Sequence, residues 1–175
     1  HANTLRLIGD VLRAGGVGTV ETAVDGQRAR DMLRLFNPDI IFTDAKMPVM
    51  DGLVFAQSIR RAAVAPDPKV PNPEVPIVMV TVFDYPSGRA AERAGVDMAL
   101  AGDSAGMTVL GHPSTRDVSL DEMLMLTRAA RRGLEHPLLI GDMPFGTYES
   151  SDALAVQSAR LFADAGCDAV KIEGA

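Results

Sequence analysis

Tryptophan is absent from this sequence, cysteine occurs once, and aromatic residues are few: two Tyr and six Phe. A single thiol, Cys167, excludes an internal disulfide and favours the reducing cytosol, so a cytoplasmic location is expected. The scarcity of aromatics speaks against base-stacking platforms for single-stranded nucleic acid. Positive charge is in deficit: 17 Lys and Arg stand against 23 Asp and Glu, a net charge of -6. No nucleic-acid or anionic-membrane partner is expected from that balance. No run approaches the ~20 apolar residues that a membrane span requires. The opening His1-Ala2-Asn3-Thr4 has neither an initiator Met nor a signal-peptide pattern, and we expect sequence upstream of it.

What remains is ordinary globular composition, with 47% hydrophobic and 23% charged residues in 175. A chain of this length can withdraw roughly 70% of its unfolded surface from water, so it needs no metal or disulfide to fold. Its main punctuation is a proline tract at 64–76, which carries five of the eleven prolines. Proline has no N–H to donate and clashes in a helix interior, so the tract is an extended loop. Two readings stand for it: a surface connection inside one domain, or a linker between two.

Strand and helix signals alternate on both sides of the tract. Before it, helices are expected at 4–14 (Leu5, Ile8 and Leu12 on one face, Gly15-Gly16 as the stop), 26–36 and 53–63, with strands at 18–23 and 39–43. After it, the continuous apolar run Ile77 to Phe83 reads as a strand buried on both faces. Further strands are expected at 97–101, 137–141 and 168–172, and helices at 87–94, 119–132 and 151–165. Ser119 with Glu122 forms a capping box, while Gly95, Gly133 and Gly166 act as stops. Six strands alternating with helices predict an α/β fold of parallel βα units with right-handed crossovers.

The string Asp44-Ala45-Lys46-Met47-Pro48-Val49-Met50-Asp51-Gly52 lies at the carboxyl end of a strand and opens a helix, which is where ligands bind in open α/β sheets. It resembles the phosphoacceptor loop of bacterial response-regulator receiver domains, over about residues 1–82. The resemblance implies a flavodoxin-like segment, with Asp44 as phosphoacceptor, the Lys46 carbonyl as a magnesium ligand and Thr81 as the hydroxyl that senses the phosphoryl group. Receivers also supply an acidic pair after their first strand and a lysine after their fifth. Neither occurs in this sequence, so no phosphorylation of Asp44 is expected.

From Val80 onward other motifs appear: Thr81-Val82-Phe83-Asp84-Tyr85-Pro86-Ser87, Ala101-Gly102-Asp103-Ser104-Ala105-Gly106-Met107, Gly111-His112-Pro113-Ser114-Thr115, Arg131-Arg132-Gly133, Gly141-Asp142-Met143-Pro144-Phe145 and Val170-Lys171-Ile172-Glu173-Gly174. In this order they resemble ketopantoate hydroxymethyltransferase, a (β/α)8 barrel, across about residues 77–175. Independently of the name, Asp103, Asp142 and Glu173 each follow an expected strand, and their side chains should gather at one end of a parallel sheet. Three carboxylates suit a hard cation such as magnesium, which could polarise a keto acid. The plainer reading of each acid is a helix N-cap or a surface charge, and for the set of three the two readings stand even. The resemblance implies Asp103 and Asp142 as metal ligands, Glu173 beside the metal, and Ser104 and Lys171 on the keto acid. Phe83 replaces the family's usual Tyr, and the family's general base belongs to the second half-barrel.

The apolar strand 77–83 serves both resemblances. We therefore expect one α/β unit over 1–175, a receiver-like segment at 1–76 joined to a partial (β/α)8 barrel at 77–175. The leading reading is an engineered fold chimera without a complete catalytic or signalling site. Its alternatives are a hydroxymethyltransferase fragment with weak magnesium and keto-acid binding, and a degenerate receiver switch at Asp44. With six strands and a gap where the receiver's first strand belongs, self-association as a dimer is expected. His112 and His136 read as loop or capping residues, and Cys167 as a small buried filler.

Overall fold

The computed structural model describes residues 9, 10, 12–79 and 81–173, which form two compact units. One comprises residues 1–38 and 46–74, the other 39–45 and 75–175. Of the expected helix at 4–14, residues 9, 10 and 12–14 are helical, while 4–8 and 11, including Leu5 and Ile8, lie outside the described residues. Gly16 closes that helix with φ +89 and donates its N–H to Arg13 O, as the Gly-Gly stop requires.

In the first unit, α1 (Gly26–Leu33) and α2 (Gly52–Arg61) start at aspartate caps. Asp25 accepts from Arg28 N at 2.7 Å and Asp51 from Val54 N at 2.8 Å, each satisfying an orphan helix donor. α1 ends at Leu33, three residues short of the expected Phe36, and closes in a turn where the N–H groups of Leu35 and Phe36 both donate to Met32 O, at 2.9 and 2.8 Å. Phe55, Ile59 and Ala62 are buried, the face expected of α2. The proline tract is a loop, as expected, but it turns rather than running extended, at 68–69 (Val70 N–H to Asp67 O, 2.8 Å) and 73–74, and it is tied down: Asp67 pairs with Arg30, Lys69 with Asp31 at 2.9 Å, and Arg60 donates to Pro73 O at 2.6 Å.

The expected strand at 18–23 does not form. Its residues are mostly exposed, and the Val20 carbonyl accepts from the Arg13 side chain instead of a strand neighbour. Local β-propensity makes a strand only where a partner supplies the ladder.

The second unit holds the sheet. Its strands β1 (Ile41–Thr43), β2 (Ile77–Met79), β3 (Met98–Ala101), β4 (Leu138–Asp142) and β5 (Ala169–Lys171) are all parallel and stand in sequential order. Among the described residues the sheet therefore has five strands rather than six, with no gap between neighbours. Between the strands run α3 (Tyr85–Ala94), the short α4 (Ala105–Thr108), a 3₁₀ turn at Thr115–Asp117, α5 (Leu120–Arg131) and α6 (Asp152–Asp164). The expected capping box is present on α5, where Glu122 bonds back to Ser119 N at 2.8 Å. Glu122 is held at about 2 by its bonds to Ser119 and His112. Met123, Leu124, Leu126, Met143 and Phe162 form the core beneath these helices. Gly88 and Gly133 let α3 and α5 meet: a side chain at Gly88 would lie 2.5 Å from Ala130 O.

The unit contains a repeat that is easy to overlook in sequence: Ala94-Gly95-Val96-Asp97 and Ala165-Gly166-Cys167-Asp168. In each, a glycine with positive φ (+69 and +99) ends a helix, and an aspartate then anchors the preceding strand. Asp97 accepts from Ile77 N at 2.7 Å and Asp168 from Leu139 N at 2.8 Å, while their own N–H groups donate to the Ile77 and Leu139 carbonyls. Each carboxylate thus sets the register of a parallel pair at its amino-terminal end. Replacing Asp168 with Ala should cost about 1.5–3 kcal/mol, the usual worth of a hydrogen bond to a charged group. Asp168→Asn, which keeps an acceptor, should cost less. Urea denaturation, with an unchanged slope, measures both.

Candidate metal centre

Three adjacent parallel strands deliver the site. Asp142 is the last residue of β4, Lys171 the last of β5, and the two are register partners. Paired residues of parallel neighbours project to the same face, so the side chains meet. Lys171 Nζ donates to Asp142 Oδ1 and Oδ2, both at 2.9 Å, and to Glu173 Oε2 at 2.9 Å. Asp103, two residues past β3, donates its N–H to Asp142 Oδ2 at 3.3 Å. Carboxylate oxygens of Asp103, Asp142 and Glu173 all lie within 4.8 Å of one another. The three acids that the sequence separates by up to seventy positions thus converge at the carboxyl end of the sheet.

Their environments differ. Asp142 is 2% exposed, whereas the Glu173 side chain is open to solvent. Burial pushes the Asp142 carboxyl above its ordinary range, outweighing the hydrogen bonds from Lys171 that pull it down. Asp103 is raised by burial and by the charge of Asp142. Burial alone would lower Lys171, but its bonds to Glu173 and Asp142 outweigh that and hold it charged. Three carboxylates against one ammonium leave two uncompensated negative charges when all are ionised. The donor set is all oxygen, so residues and charge alike fit a hard divalent cation.

Ser104 stands at the start of α4, its hydroxyl making no cap bond. A side chain at Gly102 would lie 3.4 Å from Ser104 Oγ and 3.9 Å from Asp142 Oδ2, so hydroxyl and buried carboxylate border the same small space. Asp44 is placed otherwise. It follows β1 and is exposed, and among the described residues no group of three potential ligand side chains includes it. Asp44 and Thr81 belong to the second unit and Lys46 to the first. His112 bonds Glu122 at 2.9 Å and His136 bonds Glu92 at 2.6 Å, both away from the acidic cluster's ligand set. Cys167 packs on the core that includes Phe162, and burial pushes its thiol up to about 12. Sequence reasoning missed Tyr148, whose hydroxyl bonds the backbone of Glu173 from 25 positions away. The only available signal was a tyrosine three residues beyond the Pro144-Phe145 turn.

Comparison with known proteins agrees with both sequence resemblances. The family model for ketopantoate hydroxymethyltransferase matches residues 69–175, and that for the response regulator receiver domain matches residues 1–103. The mitochondrial 3-methyl-2-oxobutanoate hydroxymethyltransferase 1 of Arabidopsis thaliana is 54% identical over 100 residues, which is 57% of this chain and 29% of that protein. The Aeropyrum pernix 3-methyl-2-oxobutanoate hydroxymethyltransferase is 54% identical over 99 residues, covering 57% and 36%. The chain thus spans about a third of the length of these relatives. Among solved structures, 2,3-dimethylmalate lyase superimposes with a TM-score of 0.54 at 16% identity, over 86% of this chain and 54% of that one. Oxaloacetate acetylhydrolase gives 0.53 at 18%, over 87% and 56%. At such identities the likeness concerns the fold alone.

The raised carboxyls have a consequence for stability without metal. A group whose folded pKa lies above its unfolded value of 3.8 stabilises the fold below that value and loses this contribution as pH rises through the folded pKa. In EDTA, Asp103→Asn should therefore be more stable than the unaltered protein at pH 7. The difference should vanish near pH 3, where Asp103 is protonated. Denaturation midpoints at the two pH values check both the sign and the window.

Proposed function

The chain belongs to both the ketopantoate hydroxymethyltransferase family and the response regulator receiver family, and from that premise we propose a fold chimera that retains the metal- and keto-acid-binding part of a hydroxymethyltransferase site. The observation that carries this reading is the convergence of Asp103, Asp142 and Glu173 around Lys171. Asp103 and Asp142 would hold a magnesium ion, with Glu173 beside it. When bound, the ion supplies Lewis-acid polarisation of a 2-oxo acid. Lys171 offers its ammonium to the substrate carboxylate, and Ser104 offers a hydroxyl at the same end of the sheet. The buried Asp142 keeps Lys171 charged and aimed.

The join supports recombination. The two family matches overlap at 69–103, which takes in β2, α3 and β3. A natural fusion more often keeps two whole domains with a linker between them, so the seam inside a shared βα unit favours engineered origin. Receiver signalling at Asp44 is not favoured, since among the described residues no group of three potential ligand side chains includes it. At the cluster, the carboxylates face a cation and an ammonium, and none is left as a general base for the keto acid, a role commonly worth 10²–10⁴-fold. We therefore expect binding without hydroxymethyl transfer.

Calorimetric titration with 3-methyl-2-oxobutanoate should show binding that requires magnesium and is lost in Asp142→Asn. Binding indifferent to both the ion and that substitution would overturn the reading. Product in a folate-coupled assay, abolished by Asp142→Asn, would overturn its binding-only part.

A further inference from the structure

Among the described residues, the last backbone bond joining the ends of β4 and β5 runs from Met143 N to Lys171 O at 3.0 Å. Glu173 lies two residues beyond it, past the ladder. Its backbone is bonded there by the phenol of Tyr148, which donates to Glu173 O at 2.6 Å and accepts from Glu173 N at 3.2 Å. A phenol can serve as donor and acceptor at once, so one side chain clamps both polar groups of one peptide residue.

Tyr148 is itself firmly held. Its ring packs on the core containing Met143 and Phe162. Its loop turns at Gly146, whose N–H donates to both Glu149 carboxylate oxygens at 3.0 and 2.8 Å. Thr147 Oγ1 donates to Pro144 O at 2.6 Å. The Thr147 carbonyl accepts at 2.7 Å from Ser158 Oγ on α6, a side chain that is almost wholly buried. An anchored loop after β4 thus reaches across to the segment after β5.

From this arrangement we infer that Tyr148 is a positioning residue: its hydroxyl fixes the Glu173 backbone, and with it the place of the third carboxylate relative to Asp103 and Asp142, and so sets how tightly the cluster holds a small divalent cation. Lys171 transmits the same placement, since its Nζ bonds Glu173 and Asp142 together. The cation part of this inference rests on the proposed function; the anchoring part does not.

Two measurements on the unaltered chain and on Tyr148→Phe, Glu173→Gln and the double variant test it. Manganese titration followed by electron paramagnetic resonance should show about 10-fold weaker binding in Tyr148→Phe, the low end of what loss of an outer supporting contact costs a metal site. The double variant should bind no more weakly than Glu173→Gln alone, because Tyr148 acts through that carboxylate. Losses that instead multiply would overturn the inference, since they would place the action of Tyr148 elsewhere. Hydrogen exchange on metal-free protein should show faster exchange of the peptide ending at Glu173 in Tyr148→Phe, with α6 peptides unchanged. Unchanged exchange at Glu173 would refute the anchoring outright. Faster exchange in a chain whose unaltered form binds no manganese would refute the cation reading and uphold the anchoring.

Discussion

The register between β4 and β5 is the constraint on which the site depends. At its amino-terminal end the Asp168 carboxylate bonds Leu139 N, and at its carboxyl end Asp142 stands opposite Lys171. Side chains alternate along a strand, so a slip of one residue would turn Asp142 into the core and leave Lys171 without its acceptor. A buried carboxylate with no partner is far costlier than an apolar residue in the same place. The fold and the candidate chemistry are therefore tied to one pairing: the ion pair requires the register, and a wrong register would strand a charge.

The same modularity explains how segments resembling two families form one sheet. β2 pairs with β1 on one side through Ile41, Phe42 and Thr43, and with β3 on the other through Met98 and Ala99. All these pairings are parallel, and each strand needs from its neighbours only evenly spaced backbone groups and apolar side chains. A strand from a receiver-like segment satisfies that demand as well as a barrel strand does. The sequential order of the sheet is that of a barrel half, and it extends without a break into a strand drawn from the first half of the chain.

Charge at the cluster carries the opposite tension. Burial raises Asp142 and Asp103, so in the absence of a cation both hold their protons to higher pH than free carboxyls do. Lys171 relieves part of this, and its charge is secured in return. A surface pair of the same length, Lys69 with Asp31, lowers the Asp31 carboxyl through the hydrogen bond from Lys69, but water screens it and it adds little to stability.

Much of this was legible in the sequence. The Ser119–Glu122 box, the stops at Gly95 and Gly166, the buried face of α2 and the strands before Asp103, Asp142 and Glu173 are local patterns, and each was met where expected. The acidic cluster was legible too, since acids following parallel strands collect at one sheet end whatever the strand order. The strand at 18–23 misled because β-prone residues such as Thr19, Val20 and Thr22 make a strand only with a partner, and pairing is not local. Tyr148, Asp97 and Asp168 were missed for a related reason. Each acts on a backbone group twenty or more positions away, and a backbone group has no letter in a sequence. The sequence by itself thus determined where helices start and stop and which acids were available. Only the tertiary structure decided which strands pair, which carboxylate is buried and what holds the third one, because those depend on contacts whose cost and gain arise only once distant segments leave water together.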